Sequence, residues 1–239
     1  MDSGGVRPPI WKPVLLFAGD VLVLLLLMAV AMAGWLLLGE VMPTKASLHP
    51  VMPFLMVGSL SVVPLFWVWR CWPTLSVTTK KSLPISLAWG VGAGVLALLI
   101  YHPMEWLARL VGSEMPVAGN EEAIAQLFAI STLLALIDLV VVAPVAEELL
   151  FRKLMLGRFI KSGFPHWGIV LTSLLFAFMH EPFPAQGQAL GGWLLLFANY
   201  FLMGALLASV YVRTGRLSAA IAAHATNNLV VCLFYLAGQ

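Results

Sequence analysis

Residues 125–152 read AQLFAISTLLALIDLVVVAPVAEELLFR, and this stretch decides the class of the fold. From Ala125 to Phe151 it is apolar except for Gln126, Ser131, Thr132, Asp138, Glu147 and Glu148. A helix of that length at about 1.5 Å per residue crosses the ~30 Å hydrocarbon core of a bilayer. A soluble helix would show a polar face, and none is present. The carboxylates and Arg152 are therefore placed where charge is costly, about 2.5–3.5 kcal/mol at a helix centre on insertion scales. Residues kept at such a cost are functional candidates.

The chain around this stretch has the same character. It has 239 residues, of which 61% are hydrophobic and 10% charged, with a mean hydropathy of +0.96. Soluble domains carry about 25% charged residues, so lipid must be the solvent for most of this surface. The net charge of +2 and the lack of a basic cluster mixed with aromatics argue against nucleic acid as a partner. Cys71 and Cys232 form no CxxC spacing and read as apolar fillers.

Seven spans are expected: Pro13–Leu38, Val51–Trp69, Leu83–Tyr101, Ala125–Phe151, Trp167–His180, Gly191–Val212 and Leu217–Ala237. The first is too long for a cleaved signal and reads as a retained anchor. An amphipathic turn at the interface is expected within His102–Gly112, from Met104, Trp106, Leu107, Leu110 and Val111. With the N-terminus in the cytoplasm, Arg7, Lys12, Arg70, Lys80, Lys81, Arg152, Lys153, Arg158, Lys161, Arg213 and Arg216 lie inside, which is eleven of the thirteen basic residues. The expected fold is therefore an all-α polytopic membrane bundle of about seven transmembrane helices, N-terminus cytoplasmic. Residues 1–124 are expected to form an N-terminal three-helix membrane region and residues 125–239 a second helix bundle, which holds most of the candidate residues.

Within Ala143–Arg152, Glu148 and Arg152 are four apart and share a face, so they can neutralise each other. Glu147 points about 100° away, without a local cation. A desolvated carboxylate of that kind suits a general base. Pro144 has no N–H to give Val140, so a kink precedes the glutamates. His180 closes the fifth span, with Phe176 one turn earlier to wall the same pocket. His224 and Asn228 share a face of the last span, with Asn227 beside them. An imidazole and an amide projecting together can stabilise an oxyanion, or simply clamp two helices. At the helical rise, His180 stands about 20 Å from Trp167, His224 about 10 Å from Leu217, and Glu147 about 8–15 Å from its helix end. These depths overlap, as a site built in a bundle core requires. Asp20 reads as the partner of a basic or hydroxyl group on another helix. Asp138, nine residues before Glu147, reads as a buried structural residue on nearly the opposite face, and Asn199 as an interhelical contact.

In this order, Glu147-Glu148-Leu-Leu-Phe-Arg152, Phe176-Ala-Phe-Met-His180 and His224-Ala-Thr-Asn-Asn228 resemble the CAAX prenyl endopeptidase and bacteriocin-processing (CPBP, or Abi) family of intramembrane proteases. The resemblance covers residues 125–236. It implies an intramembrane endopeptidase acting on a membrane-associated peptide or protein precursor. Carried over, Glu147 and His180 activate water, His224 and Asn228 stabilise the oxyanion, and Glu148 and Arg152 support the site. Two routes stay open. Glu147, His180 and His224 could ligate Zn²⁺ as a metalloprotease, or Glu147 could polarise water without a cofactor. The second is favoured because neither histidine has an orienting carboxylate nearby in sequence, although Asp138 could supply one in space. The expected partners are membrane lipid and the membrane-tethered substrate. The expected location is the bacterial cytoplasmic (inner) membrane. The rival functions are a non-enzymatic immunity or binding protein and, less well supported, a small proton-coupled transporter, against which stands the lack of repeated halves.

Overall fold

The computed structural model describes residues 8–41, 79–110, 121–184 and 187–238, and among these every regular element is helical. Helix α1 is Trp11–Val41 and α2 is Leu83–Leu110. A broken rod follows: α3 (Glu121–Ile130), α4 (Thr132–Ile137), a π-helical turn π1 (Asp138–Val142), α5 (Ala143–Glu148), a second π segment π2 (Leu149–Leu156) and α6 (Gly157–Lys161). Then come α7 (Pro165–His180), α8 (Leu190–Thr214) and α9 (Leu217–Ala237). Four of the described helices are long and apolar enough to cross a membrane: α1 over Trp11–Val30, α2, α8 and α9. The protein is integral to the membrane. The expected span Val51–Trp69 lies outside the described residues.

Two sequence readings change in detail. The interfacial turn expected after Tyr101 is a continuation of α2, which runs through Pro103 to Leu110. An Arg109–Glu105 ion pair at 2.7 Å supports its last turn. The fourth span is not one regular helix. Ser131 leaves helical geometry and its hydroxyl caps the Leu134 amide at 3.4 Å, so α4 restarts there. Ala143 N–H then reaches back five residues to the Asp138 carbonyl, which widens the helix before Pro144.

Helices α2 and α9 meet almost backbone to backbone, because Gly90 and Gly94 leave room. A Cβ on Gly90 would overlap the Ala219 carbonyl oxygen, and one on Gly94 the Ala223 carbonyl oxygen. Small residues four apart permit this approach between membrane helices, where packing replaces the hydrophobic effect. Gly204 does the same for α8, seating it against Ser173 and Phe176 of α7. The π2 segment fills the centre, with Leu154, Met155 and Leu156 fully buried. The first helix is fastened by charge. Asp20, which is 2% exposed, accepts two hydrogen bonds from Arg158, at 2.6 and 2.8 Å. This pairing matches the expectation for Asp20. Phe17 packs edge-on against Phe159 beside it.

Candidate active site

The broken rod delivers Glu147 and Glu148, α7 delivers Phe176 and His180, and α9 delivers His224, Asn227 and Asn228. The structure brings the first carboxylate and both imidazoles together. Glu147 Oε2 lies 4.0 Å from His180 Nε2 and 4.0 Å from His224 Nε2. That oxygen is buried with no hydrogen-bond partner among the described residues. The Glu147 side chain as a whole is 29% exposed, so it is reachable, whereas His224 is 3% exposed. Buried and unpaired, the oxygen is poised to accept a proton or a positive charge.

Both rings are oriented from behind. His180 Nδ1 lies 2.8 Å from the Phe176 carbonyl, which can only accept, so Nδ1 carries an N–H and Nε2 is the nitrogen that faces Glu147. His224 Nδ1 lies 3.0 Å from Glu148 Oε1. Glu148 is fully buried and bridges onward, its Oε2 lying 3.1 Å from Arg152 Nε at an angle too bent for a straight hydrogen bond. Arg152 in turn donates to the Gly204 carbonyl at 3.1 Å and lies over the Phe176 ring at 4.9 Å. The charges of Glu148 and Arg152 thus offset each other in a place where either alone would be costly. The carboxylate missing near the histidines in sequence is therefore supplied in space by Glu148, not by Asp138. This removes the reason given for favouring the route without metal.

Phe176 is fully buried under the two histidines, 4.3 Å from the His180 ring and 5.9 Å from the His224 ring. It forms the floor of the site. The roof of His180 is a residue the motifs did not reveal. Tyr200 of α8 stacks on it at 4.6 Å and 26°. Its only sequence signal was its place beside Asn199.

Asn228 is placed by backbone chemistry. In the π register the carbonyl that Pro144 would have capped is that of Leu139, and Pro144 has no N–H to give. Asn228 Nδ2 donates to that oxygen at 2.9 Å. One hydrogen of the amide is thereby committed, and the second remains. Asn227 Nδ2 approaches Asn228 Oδ1 at 3.3 Å and the Met203 sulfur at 3.9 Å. Asp138 is buried, as expected, with Oδ2 lacking a hydrogen-bond partner among the described residues.

Residues 129–230, which hold every motif residue named above, match the family described as type II CAAX prenyl endopeptidase, Rce1-like. Over this segment the chain is similar to the CPBP family. The Bacillus subtilis protein named "Putative membrane peptidase YdiL" is 28% identical over 167 residues, which are 68% of this chain and 62% of that one. The chain thus spans less than two thirds of that relative's length. No solved structure matches significantly. The matched segment begins after α1 and α2, so the glycine face of α2 and the Asp20 anchor lie outside it.

The types of donor in this matched segment are those that a divalent metal such as zinc takes. The segment offers one unpartnered carboxylate oxygen and two imidazole nitrogens, each ring fixed through its other nitrogen, one of them by a carboxylate. Donors around a tetrahedral zinc ion stand roughly 3.3 Å apart at the usual bond lengths. Glu147 Oε2 stands 4.0 Å from each imidazole nitrogen, wider than that, and among the described residues no three His, Cys, Asp or Glu side chains are set closely enough to hold a metal ion as they stand.

Proposed function

We propose that the protein is an intramembrane endopeptidase that hydrolyses a peptide bond in a membrane-associated protein or peptide precursor. The observation that carries this reading is the unpartnered Glu147 oxygen facing two imidazole nitrogens whose other nitrogens are already bonded. A proton relay for transport would need the carboxylate. It would have no use for two rings so firmly oriented on one point.

In the proposed reaction, water sits beside Glu147 Oε2 and His180 Nε2. Glu147 takes its proton as the water oxygen attacks the carbonyl carbon. The Glu147 proton then passes to the leaving amine as the C–N bond breaks. In the route without metal, His224 is held through Nδ1 by Glu148 and offers Nε2–H to the oxyanion, and Asn228 offers its second amide hydrogen. Buried Glu148 thus plays an orienting part comparable to the aspartate of a Ser-His-Asp triad. Glu148 and Arg152 hold the motif helix in register. Bound at Glu147, His180 and His224, zinc would supply Lewis acidity and a more acidic water.

Seven spans with the N-terminus in the cytoplasm, in a bacterial inner membrane, are the topology we assign, supported by the distribution of basic residues. The decisive test compares wild type and Glu147→Gln purified in detergent. Each is assayed for metal by elemental analysis and for cleavage through the small membrane peptides of expressing cells. Loss of cleavage in a folded Glu147→Gln protein supports the reading. Identical peptide profiles would sink it.

A further inference from the structure

Helices α2 and α8 flank a groove of about 700 Å³. Its lining is nearly all apolar, including Ile85, Gly92, Leu96 and Leu206, with Ser209 and Arg213 as its polar residues. This volume falls within the ~300–1,000 Å³ of small-ligand sites. The groove opens to the lipid side, for Ile85 is 52% and Leu96 49% exposed.

At one end stands a group of cations. Lys81 Nζ lies 5.7 Å, and Arg213 Cζ 5.8 Å, from the centre of the Trp89 ring. Lys80 and Arg216 are held close by. Lys80 Nζ donates to the Val212 carbonyl at 2.8 Å, its amide to the Thr214 carbonyl at 2.9 Å, and Arg216 Nε to the Lys81 carbonyl at 2.8 Å. Left-handed Gly215 makes the tight turn that brings Arg213 and Arg216 together. The chain has no Asp or Glu from Val41 to Met104, nor from Pro182 to Gln239. Both walls of the groove therefore offer positive charge with no carboxylate of their own segments to neutralise it. An indole within reach of both cations is the usual furniture of the headgroup layer.

We propose that this groove binds an anionic phospholipid, with its phosphate between Lys81 and Arg213 and one acyl chain laid along Gly92. A cationic mouth, an interfacial tryptophan and an apolar trough open to lipid complement the three parts of such a molecule. Gly92 is the key to the test, because a Cβ there meets nothing within 4 Å. Gly92→Leu fills the trough without moving a helix.

The experiment titrates the full-length protein in detergent with phosphatidylglycerol and phosphatidylcholine and counts bound lipid by native mass spectrometry. Wild type should prefer phosphatidylglycerol by roughly tenfold or more, since each cation near a headgroup adds measurably to attraction. Lys81→Ala/Arg213→Ala should bring the two lipids to parity. Gly92→Leu should reduce retention of both. Equal binding of the two lipids by wild type would overturn the proposal, as would full retention by Gly92→Leu. Displacement of phosphatidylglycerol by inorganic phosphate alone would reduce the site to an anion patch and overturn the groove. A dimer that Gly92→Leu dissociates, with lipid binding unchanged, would assign the face to a second copy instead.

Discussion

Glu147 and Glu148 are adjacent and chemically identical, yet they have different surroundings. Glu147 is partly exposed with a bare oxygen, while Glu148 is sealed between His224 and Arg152. Glu147→Gln should abolish cleavage without loss of folding, as judged by a monodisperse gel-filtration peak. Glu148→Gln keeps the shape but removes the charge that orients His224. We expect a fall in kcat of about 10–100-fold, the usual cost of removing an orienting partner. Asn228→Ala should retain residual turnover, because one oxyanion donor is worth about 10²–10³ in rate. The sequence showed all of these residues, because charge inside an apolar run stands out. It did not show that His224 rests on Glu148, a contact across 76 positions, since spacing reports neighbours on one helix and not between two.

At the level of elements, the helix that carries the motif is defined by where it fails to be regular. Pro144 leaves the Leu139 carbonyl without a backbone donor, and Asn228 supplies one from α9. A kink was legible from the proline, but the wide turn was not, because it depends on a side chain from another helix. The α2–α9 contact was legible in principle from Gly90 and Gly94, whose four-residue spacing is a packing signature. It lies outside the motifs that carry the ionisable residues. Gly94→Val should push α9 outward and carry His224 with it, so cleavage should be lost. Gly92→Val, two residues away and facing open space, should cleave at the wild-type rate. A side-by-side cleavage assay of the pair separates packing from helix propensity.

For the whole molecule, the Asp20–Arg158 pair ties α1 to the end of the motif rod across 138 positions. Asp20→Asn removes the carboxylate charge that faces Arg158 in a largely buried site, a change that typically costs about 3–5 kcal/mol. We expect a clearly lower thermal midpoint in detergent, with the charge-reversed double variant Asp20→Arg/Arg158→Asp recovering part of it. The sequence placed Asp20 in a span and gave it a basic or hydroxyl partner on another helix. Which one could not be read, because several arginines and lysines stand at the same membrane face.

The buried Arg152 also sets a timetable for biogenesis. Its neutral acceptor, the Gly204 carbonyl, is 52 positions later in the chain, and the histidine that shares its glutamate comes later still. When residues 125–152 leave the ribosome, neither exists. The rod must wait at the translocon or the membrane surface, its charges wet, until α8 and α9 arrive to receive it. A nascent chain arrested before Leu190 should therefore expose the rod to carbonate extraction and protease, and one released after Ala237 should not.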